Sequence, residues 1–115
     1  MQNLTTSQLQ YLRCIRLLAE TGTVRTTDIS RQIGFSMPSV HHMLVTLEAL
    51  GMITKSRYMI ALTEEGRNTL AYYDRALTAA EALLTRLGLT DCTDDAMALI
   101  TCLSASAVER LIDCM

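Results

Sequence analysis

The chain has 115 residues, 50% of them hydrophobic, and a formal net charge of −2. That length fits one compact domain, or two small lobes sharing a helix. With no Trp and only 4% aromatic residues the core must be aliphatic, and one Pro and five Gly point to a mainly helical chain.

Taken in chain order, Ser7–Glu20 predicts a helix with Tyr11, Leu12, Ile15, Leu18 and Ala19 on one apolar face and Arg13, Arg16 and Glu20 opposite. Gly22 ends it. A second, short helix follows, with Thr26 or Thr27 as its cap and Ile29 and Ile33 turned inward; Gly34 stops it. The third helix opens on Ser36 as N-cap with Pro38 in its first turn, where a missing N–H costs nothing. Val40, Met43, Leu44, Leu47 and Leu50 form its core stripe, and Gly51 terminates it. Met52–Lys55 and Met59–Leu62 are β-prone runs joined tightly by Ser56, Arg57 and Tyr58. Thr63 caps a long helix running to Gly88. A short helix, apolar nearly all round, covers 95–103, and a last one covers 104–115, with Ser106 and Glu109 as a capping box.

Charge is divided unevenly along this order. Residues 1–73 carry seven Lys/Arg against five Asp/Glu, and residues 74–115 carry three against seven. A basic front and an acidic back imply two jobs. We therefore expect two domains, 1–73 and 74–115. The first residues show no basic segment ahead of an apolar one, and no apolar run nears the ~20 residues that cross a bilayer. A cytoplasmic chain with no membrane partner is the expectation. None of Cys14, Cys92, Cys102 and Cys114 forms a C-x-x-C pair; reduced, buried thiols are the simplest reading.

Two short helices joined through a Gly-containing turn, with a buried stripe on the second, are the helix-turn-helix pattern, and the hairpin after them makes it a winged helix. At ~100° per residue the stripe leaves Pro38, His42, Val45 and Ala49 outward, flanked by Ser39, His41 and Thr46. A face of small, polar, non-acidic groups fits a major groove, and the helix N-terminus attracts phosphate. The candidate DNA-binding residues are Arg25, Thr26, Thr27, Ser36, Pro38, Ser39, His41, His42, Lys55 and Arg57, with Arg31 near them and the last two at the wing. His41 and His42 diverge by ~100°, so they are poorly placed to share one metal ion, and no acid or nucleophile accompanies them. We find no nucleophile–base pair, phosphate loop or carboxylate constellation; the chain reads as no enzyme, with no small-molecule substrate and no cofactor.

FSMPSVHHMLVTLEALGMI with ALTEEGR, the first-helix segment QYLRCIRLLAE, and the C-terminal segments AEALLTRLGL and CLSASAVERLI resemble the diphtheria-toxin-repressor family of iron- and manganese-dependent winged-helix repressors. The resemblance covers nearly the whole chain, in the manner of the family's short members. It implies double-stranded DNA as partner and a homodimer formed through the C-terminal segment. Met97, Leu99, Ile100, Leu103, Val108, Leu111 and Ile112 are the candidate dimerisation residues, more apolar surface than two short helices bury alone. The resemblance also places the family's metal ligands on Gln10, Arg13, Leu77, Met97, Ile100 and Thr101. Those positions hold no carboxylate, imidazole or thiolate, the groups a divalent metal needs. The expectation is a mainly α protein, a winged helix-turn-helix domain followed by a helical dimerisation domain, regulating transcription without metal. Two alternatives stand beside it: a thiol or soft-metal sensor built on Cys14 and Cys102, and a protein-interaction module without DNA affinity.

Overall fold

A computed structural model describes residues 3–57 and 59–115. In chain order the elements are α1 (Thr6–Ala19), α2 (Thr26–Ile33), α3 (Met37–Ala49), β1 (Ile53–Ser56), β2 (Met59–Leu62), α4 (Glu64–Arg86), α5 (Thr93–Cys102) and α6 (Ala105–Cys114). The chain divides into two compact units: Ser7–Asn68, and the segment up to Thr6 together with Thr69–Met115.

In the unit Ser7–Asn68, α1 buries Leu9, Tyr11, Leu12, Cys14 and Ile15, close to the stripe its sequence spacing demands. Leu18 is half-buried and Ala19 exposed, because the helix ends there. Helix α2 packs on α3, and α3 on β1. Gly34 adopts φ 85°, a left-handed cap in which its N–H donates to the Ser30 carbonyl. The predicted Thr cap of α2 is not used. Arg25 is the N-cap residue, and its backbone N–H donates to the Asp28 carboxylate at 3.1 Å. An acidic side chain reaching back over a helix start does the capping there.

The hairpin pairs Ile53 with Leu62, Thr54 with Ala61, Lys55 with Ile60 and Ser56 with Met59. β1 lies one residue later than Met52–Lys55, since the Met52 N–H donates to the Leu47 carbonyl at 3.0 Å and closes the end of α3 instead of joining the ladder. Val24, just ahead of α2, forms an isolated antiparallel bridge with Ile60 and accepts its N–H at 3.0 Å, so β2 is held on both edges. Tyr58, expected in the hairpin turn, lies outside the described residues.

At the start of α4 the Thr63 hydroxyl accepts from the Gly66 N–H at 3.0 Å and donates to the Gly51 carbonyl at 2.6 Å. The predicted cap is therefore in place and also ties α4 to the end of α3.

In the other unit, α4, α5 and α6 bury Leu70, Tyr73, Ala76, Leu77, Ala79, Ala80, Ala96, Met97, Ile100 and Val108. The N-terminal segment joins this unit: the Leu4 N–H donates to the Tyr73 hydroxyl at 2.9 Å, and the Thr6 and Thr101 hydroxyls are 2.7 Å apart. Helix α6 is capped by Ser104, which accepts from the Ala107 N–H at 3.2 Å, and not by the expected Ser106–Glu109 box. Ser104 wins because it is the first extended residue before the helix.

Candidate nucleic-acid interface

Helix α3 is oriented by its core stripe. Val40, Leu44 and Leu47 are wholly buried, so the opposite face carries Pro38, Ser39, His41, His42, Val45 and Ala49, all exposed. The outward residues lie where the spacing puts them, while Met43 and Leu50 of the expected core stripe are only half-buried. One flank differs: Glu48 is also exposed, so the surface of α3 is not free of carboxylate. The N-cap Ser36 accepts from the Ser39 N–H at 3.4 Å, and its hydroxyl donates to the Ser39 hydroxyl at 3.0 Å. The Thr46 hydroxyl donates back to the His42 carbonyl at 3.2 Å.

The turn before α3 is anchored by packing. Phe35 lies 6.1 Å from the Tyr11 ring at 26°, stacked, and its carbonyl accepts from the Ser30 hydroxyl at 2.6 Å. Burial pushes the Tyr11 phenol up, with the Cys14 thiol adding to the effect. Phe35 remains 46% exposed beside the start of α3.

Two of the cations gather between the start of α2 and the wing. A cleft of about 510 Å³ is lined by Thr23, Arg25, Ser56, Arg57 and Met59. It brings Arg25, at the start of α2, next to Arg57, at the end of the wing, although 32 positions separate them in the chain. The bridge between Val24 and Ile60 is what joins these segments. Arg57 has φ 44°, a left-handed conformation found in tight turns. Lys55 is exposed on β1 but does not line this cleft, and Thr27 is exposed while Thr26 is half-buried. Thr23 and Met59 were not foreseen, since neither residue type signals a phosphate contact.

The dimerisation candidates separate into two sets. Met97, Ile100 and Val108 are buried within the chain itself. Leu99, Leu103, Leu111 and Ile112 are half-buried. Ile112 also lines a groove of about 380 Å³ with Asp74, Arg75, Thr78, Ala79, Ala82 and Met115. Among the described residues no helix is long and apolar enough to cross a membrane, and no group of three or more His, Cys, Asp or Glu is placed to hold a metal ion.

Comparison with known proteins agrees with this geometry. Residues 12–57 match the IclR helix-turn-helix domain, a span from α1 to the end of the first wing strand. No curated protein matches the chain in sequence. Among solved structures, the hypothetical protein SSo2273 from Sulfolobus solfataricus superposes with a TM-score of 0.79 at 18% identity, covering 96% of this chain and 88% of that one. ScaR with bound Zn²⁺ superposes at 0.78 with 26% identity, covering 93% of this chain and 52% of its own. The metal-dependent transcriptional regulator MtsR gives 0.79 at 22% identity, covering 96% and 54%. The chain thus spans about half the length of these two regulators. Fold, matched domain and neighbours define the class by architecture: a winged helix-turn-helix domain followed by a helical segment, a fold shared with these regulators over about half of their length.

Proposed function

We propose that this protein is a sequence-specific regulator that binds double-stranded DNA as a homodimer and needs no metal ion to do so. The observations that carry the proposal are the exposed, groove-sized face of α3 and, in the same unit, a cleft that brings Arg25 and Arg57 together as cations for a phosphate backbone. In this reading the α2–α3 unit and the wing, inside residues 1–73, contact DNA, and residues 74–115 associate two copies through Leu99, Leu103, Leu111 and Ile112. A dimer presents two recognition helices to two half-sites and gains affinity from the linkage.

The metal statement rests on donor chemistry. ScaR is a neighbour solved with Zn²⁺, but the positions to which the family resemblance assigns ligands do not fit a divalent cation here. Leu77, Met97 and Ile100 are buried apolar side chains. The Thr101 hydroxyl is engaged with Thr6 and with the Met97 carbonyl at 2.8 Å. Gln10 offers an amide, and Arg13 a permanent positive charge. The thiol-sensor alternative is disfavoured at one of its two residues. Cys14 is buried and burial pushes its thiol up, the reverse of what a metal-binding or redox-sensing thiolate requires.

Fluorescence anisotropy with duplex DNA over a range of salt concentrations tests the proposal. The parent should bind with an affinity that falls steeply with salt. Lys55→Ala and Arg57→Ala should weaken binding to every duplex and reduce the salt slope by about one unit each, whereas His42→Ala should weaken discrimination between duplexes. A parent protein without salt-dependent DNA binding would leave the interaction-module alternative in its place.

A further inference from the structure

Base edges in the major groove are read in two ways. Purines take bidentate hydrogen bonds from Arg, Lys, Asn or Gln, and thymine offers a 5-methyl group that takes apolar contact. Helix α3 holds no Arg, Lys, Asn or Gln between Met37 and Ala49. The centre of its exposed face is largely apolar instead: at ~100° per residue, Pro38, His42, Val45 and Ala49 fall within a sector of about 60°.

Val45 is the most conspicuous member. It is 62% exposed, against 52% for Leu17, 46% for Phe35 and 53% for Met59, the other exposed large hydrophobics among the described residues of this unit. A β-branched residue is a weaker helix former than Ala or Leu, so neither packing nor helix propensity explains a Val there. The hydroxyls around it are already engaged within the helix. Ser36 and Ser39 bond each other, and Thr46 bonds the His42 carbonyl. Glu48, the only carboxylate of α3, stands ~60° round the helix from Val45 and leaves that sector uncharged. The positive charge for the phosphates comes from outside the helix, from Arg25, Lys55 and Arg57.

We infer that Val45, with Pro38 and Ala49 beside it, reads thymine 5-methyl groups, so that the half-site is selected by apolar contact and not by bidentate hydrogen bonds. This inference rests on the DNA-binding function proposed above. It makes the protein sensitive to the difference between thymine and uracil, which pair alike and differ only in that methyl group.

The test uses duplexes selected from a random pool by the parent protein, each synthesised once with thymidine and once with deoxyuridine throughout. Phosphate number is identical in the two, so the salt-dependent part of binding cancels. The deoxyuridine duplex should bind about fourfold more weakly per contacted methyl, the factor to which ~0.8 kcal/mol for one buried methyl-sized group corresponds. Val45→Ala, a change at an exposed position, should keep the far-ultraviolet circular dichroism and the salt slope of the parent and bring the thymidine-to-deoxyuridine ratio towards one. Equal affinity of the parent for the two duplexes overturns the inference, as does a full ratio retained in Val45→Ala. Binding to neither duplex overturns the DNA-binding proposal itself, and is distinguished by its loss with both probes.

Discussion

Gly66 lies against the backbone of Met52, so closely that a Cβ at position 66 would overlap the Met52 carbonyl oxygen. This contact joins the first turn of α4 to the residue that leads into the wing. The Met52 carbonyl also accepts from the Thr63 N–H at 3.0 Å, so it cannot move aside without loosening the cap. Gly66→Ala should therefore destabilise the protein despite the ~1 kcal/mol that Ala gains over Gly inside a helix. Overpacking against backbone costs about 1–3 kcal/mol, and here the upper end applies because no flexible side chain can yield. A net loss of about 2 kcal/mol lowers the melting temperature by roughly 10 °C in a domain of this size, which differential scanning calorimetry resolves. An unchanged or higher melting temperature would show that the two backbones separate freely.

How much of this was legible in the sequence depends on the range of the interaction. The stripe Val40–Leu44–Leu47 and the Ser36 cap of α3 are set by neighbours within one or two turns, so spacing alone places His41, His42 and Pro38 on the outer face. The Thr63 cap was equally local. What spacing does not carry is pairing across distance. The Val24–Ile60 bridge, the Arg25–Arg57 cleft and the Gly66–Met52 contact all join segments that only the folded chain brings together. The same limit explains α5 and α6. Their apolar residues read as one interface, but Met97, Ile100 and Val108 are consumed inside the protomer. Nothing near Gly66 in sequence announces the Met52 backbone.

The thiols provide a pH-dependent prediction. Cys14 and Cys92 are buried, whereas Cys102 and Cys114 are exposed. A thiol reagent should label two of the four cysteines quickly in the native protein, and the other two only on unfolding. Burial raises the Cys14 thiol and, chiefly, the Tyr11 and Tyr72 phenols above their ordinary values. The unfolded chain then releases these protons at a lower pH than the folded one. Between the two values the folded state binds more protons, so stability falls as pH rises. Urea midpoints should decline from roughly pH 9 upward, where free thiols and phenols begin to ionise. A midpoint flat from pH 8 to 11 would remove burial as the cause.

Self-association is tested at Ile112, which is half-buried and lines the groove on α4 and α6. A stable dimer buries about 800 Å² on each partner, and taking a carboxylate out of water inside such a patch carries a desolvation cost that an isoleucine does not. Ile112→Asp should convert a dimer sedimenting at micromolar concentration into a monomer. It should also weaken DNA binding by roughly 10²-fold, the lower end of what linking two modules supplies. Sedimentation of the parent as a monomer at that concentration would sink the dimer.

Metal addition tests the proposed metal independence. Excess Mn²⁺, Fe²⁺ or Co²⁺ should leave both DNA affinity and melting temperature unchanged. A ligand that binds only the folded state at 100 times its Kd adds ~2.7 kcal/mol, a melting shift on the order of 10 °C for a domain of this size, too large to miss. The prediction follows from six positions, Gln10, Arg13, Leu77, Met97, Ile100 and Thr101, which together offer no anionic ligand and no imidazole. Burial of Leu77, Met97 and Ile100 means that apolar packing stabilises the fold at positions where charged ligands would need metal to be buried at all. Leu77→His with Met97→Glu and Ile100→Glu should accordingly unfold or loosen the protein, because two carboxylates and an imidazole then replace core. A melting shift in the parent with excess Mn²⁺ that EDTA reverses would overturn the metal-independent reading. A shift confined to Zn²⁺ or Cu⁺, and abolished by Cys14→Ser or Cys102→Ser, would instead establish the thiol sensor, and it would require Cys14 to leave the burial that now holds it protonated.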